Sequence, residues 1–377
     1  MQILIATDSF KDSLSAAEAG KELASGLTDV LNKVSVKILP MADGGEGTLN
    51  ALIDATNGYK KLAEVHDPLL RKINAPIGFL GNKKTAVIEM ASASGIELLS
   101  EEEKNPHLTS SYGTGELIKA ALNENCDEVI LGIGGSATID GGTGLMNALG
   151  IAFTDSMNRK ILPAGGNLHE IKHINAENLD KRLKNTKIRI ACDVNNPLTG
   201  ENGAAYVFGP QKGAKKEEIS FFDDNLKHLS QLLTKATGFA DECTPGTGAA
   251  GGLPACIKAF AEASLESGFG MISELVNLEA KIEQSDLVIT GEGKLDSQTQ
   301  YGKTPWGVAQ LVSKYNKTLI AVGGTITEGS NILYHQGFDL ILPILNQPMS
   351  LNEALNSAPE LLRQTGKRIG RIILLKL

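Results

Sequence analysis

Residues 285–293 read SDLVITGEG, a short, continuous apolar run that ends in a glycine-rich polar segment. Two further apolar runs follow, TLIAVGGT at 318–325 and DLILPIL at 339–345. A helical pattern lies between the first two runs, and another follows the third. Continuous apolar strands that alternate with helices are typical of a parallel sheet covered on both faces. The pattern therefore predicts an α/β fold for the last third of the chain.

The beginning of the chain has the same alternation of apolar strands and helices. ILIATDS (3–9) and VSVKILPMA (34–42) are predicted strands. The segment between them has apolar residues at helical spacing, and Ser13 or Ser15 can cap this helix. We therefore expect the two ends of the chain to form one discontinuous parallel sheet of the Rossmann or flavodoxin type. The predicted strands of this sheet are Ile3–Thr7, Val34–Leu39, Leu287–Thr290, Leu319–Val322 and Leu340–Leu345.

The middle of the chain differs from its ends. Residues 60–91 contain three short β segments joined by the turns DPLLRK and GNKK, which favours an antiparallel or mixed arrangement. We predict a discontinuous α/β domain made of residues 1–62 and 276–377. A second α/β domain with a mixed sheet, residues 63–275, would be inserted into it. Two sequential domains are the alternative.

The composition of the whole chain excludes several classes of protein. The chain has 377 residues, a net charge of −8, 5% aromatic residues and no basic run, which argues against nucleic-acid binding. Its four cysteines form no CxxC pair and match no zinc framework. No segment reaches the roughly 18 apolar residues of a membrane span. We therefore expect a cytoplasmic protein that binds neither nucleic acid nor a membrane.

Three polar loops follow predicted strands of the discontinuous domain: TDSFKDS (7–13), MADGGEGT (41–48) and TGEGKLDSQTQYGKTPWGVA (290–309). Ligands of open parallel sheets bind beyond the carboxyl ends of the strands. The loops contain lysines and a hydroxyl that suit an anion, carboxylates that suit Mg²⁺, and glycines that let a phosphate approach the backbone. The candidate residues are Ser9, Lys11, Asp43, Gly291, Glu292, Gly293, Asp296 and Lys303. A solvated lysine, a tight turn and an ordinary polar loop are the structural alternatives.

The inserted domain has glycine-rich loops of its own. GIGGSATIDGGTG (132–144) holds six glycines in thirteen residues, and GTGAAGGL (246–253) is a second glycine-rich turn that enters a helix. Backbone amides of such loops can cradle a phosphate. The candidate residues for this role are Gly134, Gly135, Ser136, Thr138, Gly248, Gly251 and Gly252, with Lys212 from FGPQKGA. Asp140 is a further possible ligand or base.

Asp193 lies at the end of a predicted strand, in ACDVNNPLTG. An aspartate there could orient a substrate hydroxyl and accept its proton, as phosphoryl transfer requires. An Asx turn before Pro197 is the competing interpretation. The chain has no GxSxG element and no GxxxxGK[ST] loop, and no GxGxxG directly follows a predicted strand. Lysines, carboxylates, hydroxyls and glycine amides together fit phosphoryl transfer best.

Seven motifs in this order carry a resemblance to a known family. They are DSFKDSLSAAEA, LPMADGGEGT, GIGGSATIDGG, CDVNNPL, FGPQKGA, GTGAAGGL and DLVITGEGKLDSQTQYGKTPWGVA. The chain resembles the bacterial glycerate kinases of the glycerate 2-kinase type. The resemblance implies ATP-dependent phosphorylation of D-glycerate, usually to 2-phosphoglycerate, and two α/β domains with the active site in the cleft between them. The expected partners are small-molecule substrates, and the expected assembly is a monomer or a homodimer.

The resemblance and the residues together suggest roles for the candidate residues. Lys11 is expected at the carboxylate or the transferring phosphoryl group, with Lys212 and Lys303 as further clamps. Asp193 is the first choice for the base, and Asp43, Glu292 and Asp296 are the Mg²⁺ candidates. Phosphorylation at C3, a non-catalytic regulator that binds small acids and an NAD-dependent dehydrogenase are the alternatives.

Overall fold

The structure is a computed structural model that describes residues 1–240, 242–300 and 302–375. The strands are β1 (Gln2–Thr7), β2 (Ser35–Ile38), β3 (Tyr59–His66), β4 (Lys72–Phe79), β5 (Thr85–Glu89), β6 (Glu128–Gly132), β7 (Ala152–Thr154), β8 (Lys160–Ile161), β9 (His173–Asn175), β10 (Lys187–Ala191), β11 (Ala263–Glu266), β12 (Leu287–Leu295), β13 (Thr318–Ile326) and β14 (Leu340–Pro343). The helices are α1 (Ala16–Thr28), α2 (Thr48–Thr56), α3 (Ala91–Ser94), α4 (Tyr112–Asn123), α5 (Thr143–Ala148), α6 (Ala204–Phe208), α7 (Ile219–Thr237), α8 (Ala249–Phe260), α9 (Gly268–Leu275), α10 (Leu278–Glu283), α11 (Thr304–Lys314) and α12 (Leu351–Leu375).

The chain divides into two compact units. The first unit contains Met1–Asp43, Asn50–Asn57 and Ser267–Leu377. The second unit contains Gly44–Leu49 and Gly58–Glu266. The first unit is therefore built from both ends of the chain.

The first unit contains a parallel sheet in the strand order β14-β13-β12-β1-β2. β1 from the beginning of the chain pairs in parallel with β12, with Ile3 opposite Leu287 and Thr7 opposite Gly291. This pairing confirms the discontinuous parallel sheet. The strand order is that of flavodoxin-like folds, in which connections leave β1 and β12 in opposite directions. The carboxyl ends of these two strands form the switch point where such sheets bind ligands.

The helix after β1 begins at a capping box. The Oγ of Ser15 accepts a hydrogen bond from the Glu18 amide, and the Ser15 amide donates to the Glu18 carboxylate at 2.9 Å. Ser13 donates instead to the Leu355 carbonyl oxygen in the same unit. Of the two serines that the sequence offered, Ser15 is therefore the cap of α1.

The second unit contains a mixed sheet in the order β11-β10-β6-β5-β4-β3. The four strands from β11 to β5 are parallel, whereas β5 pairs with β4 and β4 pairs with β3 in antiparallel fashion. The predicted hairpin region and the mixed sheet are thus confirmed. A small antiparallel sheet, β8-β7-β9, lies in the same unit. The carboxyl end of β6 leads into the glycine-rich loop 132–144, and that of β10 leads into the loop that carries Asp193.

Candidate functional site

In the first unit, Asp8 follows the last residue of β1. Its amide donates to the Gly291 carbonyl oxygen of β12 at 2.9 Å. Its Oδ2 accepts a 2.5 Å hydrogen bond from the Thr304 Oγ1, at the start of α11. Burial raises the pKa of the Asp8 carboxyl to about 7, and the negative charges of Asp43 and Glu292 act in the same direction. Three carboxylates therefore interact at the switch point of this sheet.

Glu292 lies on β12 next to this switch point and is 9% exposed. One of its oxygens accepts from the Thr299 Oγ1 at 2.9 Å, and the other pairs with the Lys303 Nζ at 3.2 Å. Burial raises the pKa of Glu292, and the Lys303 ammonium opposes this shift. The structure thus brings together two of the predicted residues, Glu292 and Lys303.

Asp296 has different partners from Glu292. Its Oδ2 pairs with the Lys294 Nζ at 2.9 Å, and its Oδ1 accepts from the Gln298 amide at 2.8 Å. The hydrogen bond from Lys294 lowers the pKa of Asp296. Its carboxylate is therefore charged and bonded to its own loop.

Lys11 and Ser9 lie in the loop after β1. The Ser9 side chain is half-buried, and its amide donates to the Asp8 Oδ1 at 2.6 Å. Lys11 is exposed, and no acidic group in the described part of the chain forms an ion pair with it. A Cβ added at Gly293 would lie 3.5 Å from the Lys11 amide nitrogen, whereas a Cβ at Gly291 would lie 2.5 Å from the Val322 carbonyl oxygen. Packing against β13 thus explains a glycine at position 291.

In the second unit, the loop after β6 is held by several main-chain hydrogen bonds. The Gly135 carbonyl oxygen accepts from the Ile96 amide at 2.8 Å, and the Ala137 amide donates to the Ser94 carbonyl oxygen at 2.9 Å. Gly135 has a φ of +69°, which strongly favours glycine. The loop is therefore ordered by its own unit.

Lys212 lies beneath this loop and is 2% exposed. Its Nζ donates to the Ser136 Oγ and to the Thr138 carbonyl oxygen, both at 2.8 Å. Burial lowers the pKa of Lys212 to about 7, and the Asp140 charge opposes the shift. The Thr138 Oγ1 is buried and lacks a hydrogen-bond partner among the described residues. Lys212, which was predicted to bind a substrate anion, is thus buried and hydrogen-bonded to two predicted residues of the loop, Ser136 and Thr138.

Asp140 is fully buried in the same loop. Its carboxylate accepts from the amide and the Oγ of Ser111, at 2.8 and 2.7 Å, and from the amides of Gly142 and Gly144. Burial raises the pKa of Asp140, and these hydrogen bonds oppose the shift. Because all of these partners lie at the beginnings of α4 and α5, Asp140 joins the two helix starts.

The second glycine-rich turn packs against the first. The Gly141 amide donates to the Gly251 carbonyl oxygen at 2.9 Å, and Gly251 and Gly252 have φ of +70° and +90°. A Cβ at Gly251 would collide with the Thr138 carbonyl group. The predicted turn into a helix is confirmed, since the regular part of α8 follows these residues.

The same turn is bonded to the loop after β10, which carries Asp193. The amides of Gly246 and Gly248 both donate to the Asn196 carbonyl oxygen, at 3.1 and 3.0 Å. The Asp193 side chain is exposed at the end of β10. Three loops at the carboxyl edge of the mixed sheet are thus connected through their main chains.

Comparison with known proteins identifies the group to which this architecture belongs. The model of the glycerate kinase family matches residues 3–374. The chain belongs to the glycerate kinase family.

Individual members of the glycerate kinase family agree with this assignment. Glycerate kinase of Bacillus subtilis is 44% identical over 99% of this chain and 98% of its own length. Glycerate 2-kinase of Escherichia coli is 44% identical over 95% of this chain and 94% of its own length. A crystal structure assigned as glycerate kinase 2 from Salmonella typhimurium LT2 has a TM-score of 0.92 and 40% identity, and the match covers 100% of this chain and 99% of that one. The α/β fold and kinase activity follow from these relationships.

Sequence reasoning did not assign two residues that the structure places at the candidate site of this glycerate kinase family member. Asp8 belongs to the carboxylate cluster, and Thr304 is its hydrogen-bond donor. The signal for Asp8 was its position directly after the first apolar strand, at the edge where such sheets bind ligands. No local pattern distinguishes Thr304 from an ordinary first residue of a helix.

The carboxylate cluster of the first unit has the type of ligand that Mg²⁺ prefers. Asp8, Asp43 and Glu292 interact electrostatically, and burial raises the pKa of Asp8 and Glu292. A hard divalent cation would relieve this repulsion, and Mg²⁺ commonly takes only one or two carboxylates with water and phosphate oxygens. Within residues 1–240, 242–300 and 302–375, no three His, Cys, Asp or Glu side chains form a ready-made metal cage. The residue types of this cluster, all carboxylates, match the oxygen ligands that Mg²⁺ takes.

Across the described ranges, no helix combines the length and the apolar character needed to cross a membrane.

Proposed function

We propose that this chain transfers the γ-phosphoryl group of ATP to the C2 hydroxyl of D-glycerate, giving 2-phosphoglycerate and ADP. The observation that carries this proposal is the 44% identity, over 95% of the chain, to a protein named glycerate 2-kinase. ATP as the phosphate donor follows from membership of a kinase family. The position of phosphorylation rests on that relative, because nothing in the side chains distinguishes C2 from C3.

The acidic cluster of the first unit supports a dependence on Mg²⁺. Asp43 and Glu292, with Asp8 beside them, would hold the ion, and Asp296 would act through water because its carboxylate is paired with Lys294. The ion, when bound, neutralises negative charge on the phosphate groups. Glu292 keeps Lys303 at the beginning of α11, where a lysine and helix amides suit a phosphate.

Lys11 and Ser9 would bind an anionic group of a substrate. Lys11 is exposed beside the acidic cluster and has no acidic partner in the described ranges, so its ammonium is available to a carboxylate or a phosphoryl group. The main chain of Gly291 and Gly293 runs beside this loop. Because Val322 fills the space beside Gly291, a bound phosphate would approach the main chain at Gly293, which has no side chain.

The loops of the second unit would bind anionic oxygens and orient the acceptor hydroxyl. Gly134, Gly135 and Ser136 present amides and a hydroxyl, while Gly248, Gly251 and Gly252 shape the neighbouring turn. Thr138 and Lys212 support the first of these loops from below. Asp193, exposed at the end of β10, would accept the proton of the D-glycerate hydroxyl as the new P–O bond forms and the bond to ADP breaks.

The function is tested by two assays and one spectrum. ADP release is measured with ATP, Mg²⁺ and D-glycerate, and NADH absorbance is followed in parallel with NAD⁺ and the same acid. We expect D-glycerate-dependent ADP release and no change in NADH. Phosphorus NMR of the product then distinguishes 2-phosphoglycerate from 3-phosphoglycerate.

Each alternative has its own result in these assays. A C3-phosphorylated product would replace the proposed regiochemistry. Absence of ADP release, together with binding of D-glycerate in isothermal titration, would indicate a regulator, and NADH formation would indicate a dehydrogenase. Either of the last two results overturns the proposed function.

A further inference from the structure

Lys212 makes two hydrogen bonds, and both run to the loop after β6. Its Nζ lies 2.8 Å from the Ser136 Oγ and 2.8 Å from the Thr138 carbonyl oxygen. The side chain is 2% exposed, while Ser136 is 7% exposed. Ser136 thus contacts the buried ammonium group and keeps a small solvent-accessible area of its own.

The chemistry of the two groups determines the direction of their hydrogen bond. While Lys212 is in its ammonium form, it has three donors and no acceptor, so the Ser136 oxygen must then accept from it. The hydroxyl proton of Ser136 then cannot be directed at Lys212 and remains for another acceptor. A positive charge behind the hydroxyl also makes an anionic acceptor more favourable, because its field is little screened in a buried site.

The loop is also held rigidly enough for this role. Main-chain hydrogen bonds fix the residues on both sides of Ser136, from Ile96 to Gly135 and from Ala137 to Ser94. The Thr109 Oγ1 donates to the Ala137 carbonyl oxygen at 2.9 Å. Hydrogen-bond donors that are already oriented bind a ligand without a further loss of conformational entropy.

We propose that Lys212 is a positioning residue that makes Ser136 an obligatory hydrogen-bond donor to an anionic oxygen of a substrate. The shared ligand chemistry is a phosphate or carboxylate oxygen. The identity of the two substrates, a nucleotide and D-glycerate, rests on the proposed function. Lys212 itself touches neither of them, and its effect reaches the ligand through the Ser136 hydroxyl.

A double-mutant cycle with two ligands tests this inference. Isothermal titration measures the affinities for ADP with Mg²⁺ and for D-glycerate in the wild type, Ser136→Ala, Lys212→Met and the double variant. The titrations are made at pH 6.5, because burial lowers the pKa of Lys212 to about 7 and the ammonium form is required. Asp140, the charged group that acts on Lys212, is unchanged in all four proteins. Lys216→Met is the matched control, since Lys216 is exposed in the same segment.

We expect Ser136→Ala to weaken one of the two affinities about tenfold, the usual effect of losing a hydrogen bond to a charged group. Lys212→Met should weaken the affinity for the same ligand. The double variant should bind that ligand no more weakly than either single variant does. Ser136→Thr, which keeps the hydroxyl, should restore binding. The ligand that responds identifies the source of the anionic oxygen, and Lys216→Met should bind both ligands normally.

Three results would overturn the inference. They are unchanged affinities in Ser136→Ala, additive losses in the double variant, and a loss in Lys212→Met for the ligand that Ser136→Ala leaves unaffected. Should Lys212→Met fail to fold by circular dichroism, Lys212→Gln replaces it, and the Ser136 variants still decide by the first criterion. A wild type that binds both ligands but forms no product would contradict the proposed function and not this inference.

Discussion

Thr304 donates a 2.5 Å hydrogen bond from its Oγ1 to the Oδ2 of Asp8, and so joins the first turn of α11 to the carboxyl end of β1. The two residues are 296 positions apart in the chain. Thr304 is fully buried, and its hydroxyl lowers the pKa that burial raises at Asp8. The bond therefore holds together the part of the first unit where Asp8, Glu292 and Lys303 lie.

Removing this hydroxyl should destabilise the protein. Thr304→Val keeps the shape of the side chain but removes the donor to the Asp8 Oδ2, which costs about 1–3 kcal/mol of the free energy of unfolding. Urea denaturation monitored by circular dichroism measures the change. Thr304→Ser keeps the hydroxyl and should lose less, so equal stabilities of the two variants would contradict the assigned role of the bond.

Lys303 should contribute chiefly to turnover. Lys303→Met removes a positive charge at the beginning of α11 and leaves the buried Glu292 without its ion-pair partner. We expect kcat to fall by about 10²–10³, the effect of losing a group that stabilises charge in the transition state. Steady-state kinetics with ATP and D-glycerate provide the measurement. Lys314→Met, at the exposed end of the same helix, is the control and should keep near-parental turnover.

Asp193 should be needed for the chemical step. Asp193→Asn keeps the shape of the side chain and removes its ability to accept a proton, so kcat should fall by about 10²–10⁴ while folding is unchanged. Glu201→Gln provides a control at an exposed acid of the same segment. Near-parental turnover of Asp193→Asn would exclude this residue as the base.

Burial of Lys212 predicts a dependence of stability on pH. Its pKa is lowered to about 7 in the folded chain, against 10.5 as the ordinary value. Between these values the unfolded chain binds more protons than the folded chain, so the contribution of Lys212 to the free energy of unfolding rises with pH. Below pH 7 both states keep the proton, and this contribution no longer varies.

Thermal unfolding of the wild type and Lys212→Met between pH 6 and 9.5 checks this dependence. The Tm of the wild type should rise relative to that of the variant as the pH increases above 7. Lys216→Met, which removes an exposed lysine, should follow the wild type at every pH. A constant difference between the wild type and Lys212→Met would show that Lys212 has an ordinary pKa.

Alanine substitutions at two glycines with positive φ distinguish the cost of backbone strain from the cost of close packing. Gly251→Ala introduces a Cβ that collides with the Thr138 carbonyl group at a φ of +70°. Gly238→Ala introduces the same atom at a φ of +77° with no neighbour within 4 Å. We expect Gly238→Ala to cost about 1 kcal/mol of the free energy of unfolding and Gly251→Ala clearly more, because the packed loops must shift. Equal losses in chemical denaturation would argue against the tight contact of the two loops.

Much of the fold could be predicted because its signal is local. Continuous apolar runs at 3–7, 287–290 and 319–322 predicted buried strands, and their alternation with helices favoured a parallel sheet. These strands were predicted to form one sheet because they share the same alternation with helices, and the pairing of Ile3 with Leu287 confirms this prediction. The choice between Ser13 and Ser15 as the cap of α1 needed the structure, because both residues satisfy the same local rule.

The candidate site was predictable in its positions but not in its pairings. The polar residues after the strands were recognisable, since ligands meet parallel sheets at that edge. The sequence treated Glu292 and Asp296 alike, yet one pairs with Lys303 and the other with Lys294. These ion pairs depend on where the neighbouring loops turn, and the spacing of residues along the chain does not predict this.

The sequence by itself determined the α/β architecture with a parallel and a mixed sheet, and membership of the glycerate kinase family. These properties follow from periodicity and ordered motifs. Only the tertiary structure decided which charges are buried and what they touch. It placed Lys212 beneath Ser136 and Asp8 beside Thr304. The physical reason is that desolvation and hydrogen bonding depend on contacts between residues far apart in the chain, whereas apolar periodicity is a property of each segment alone.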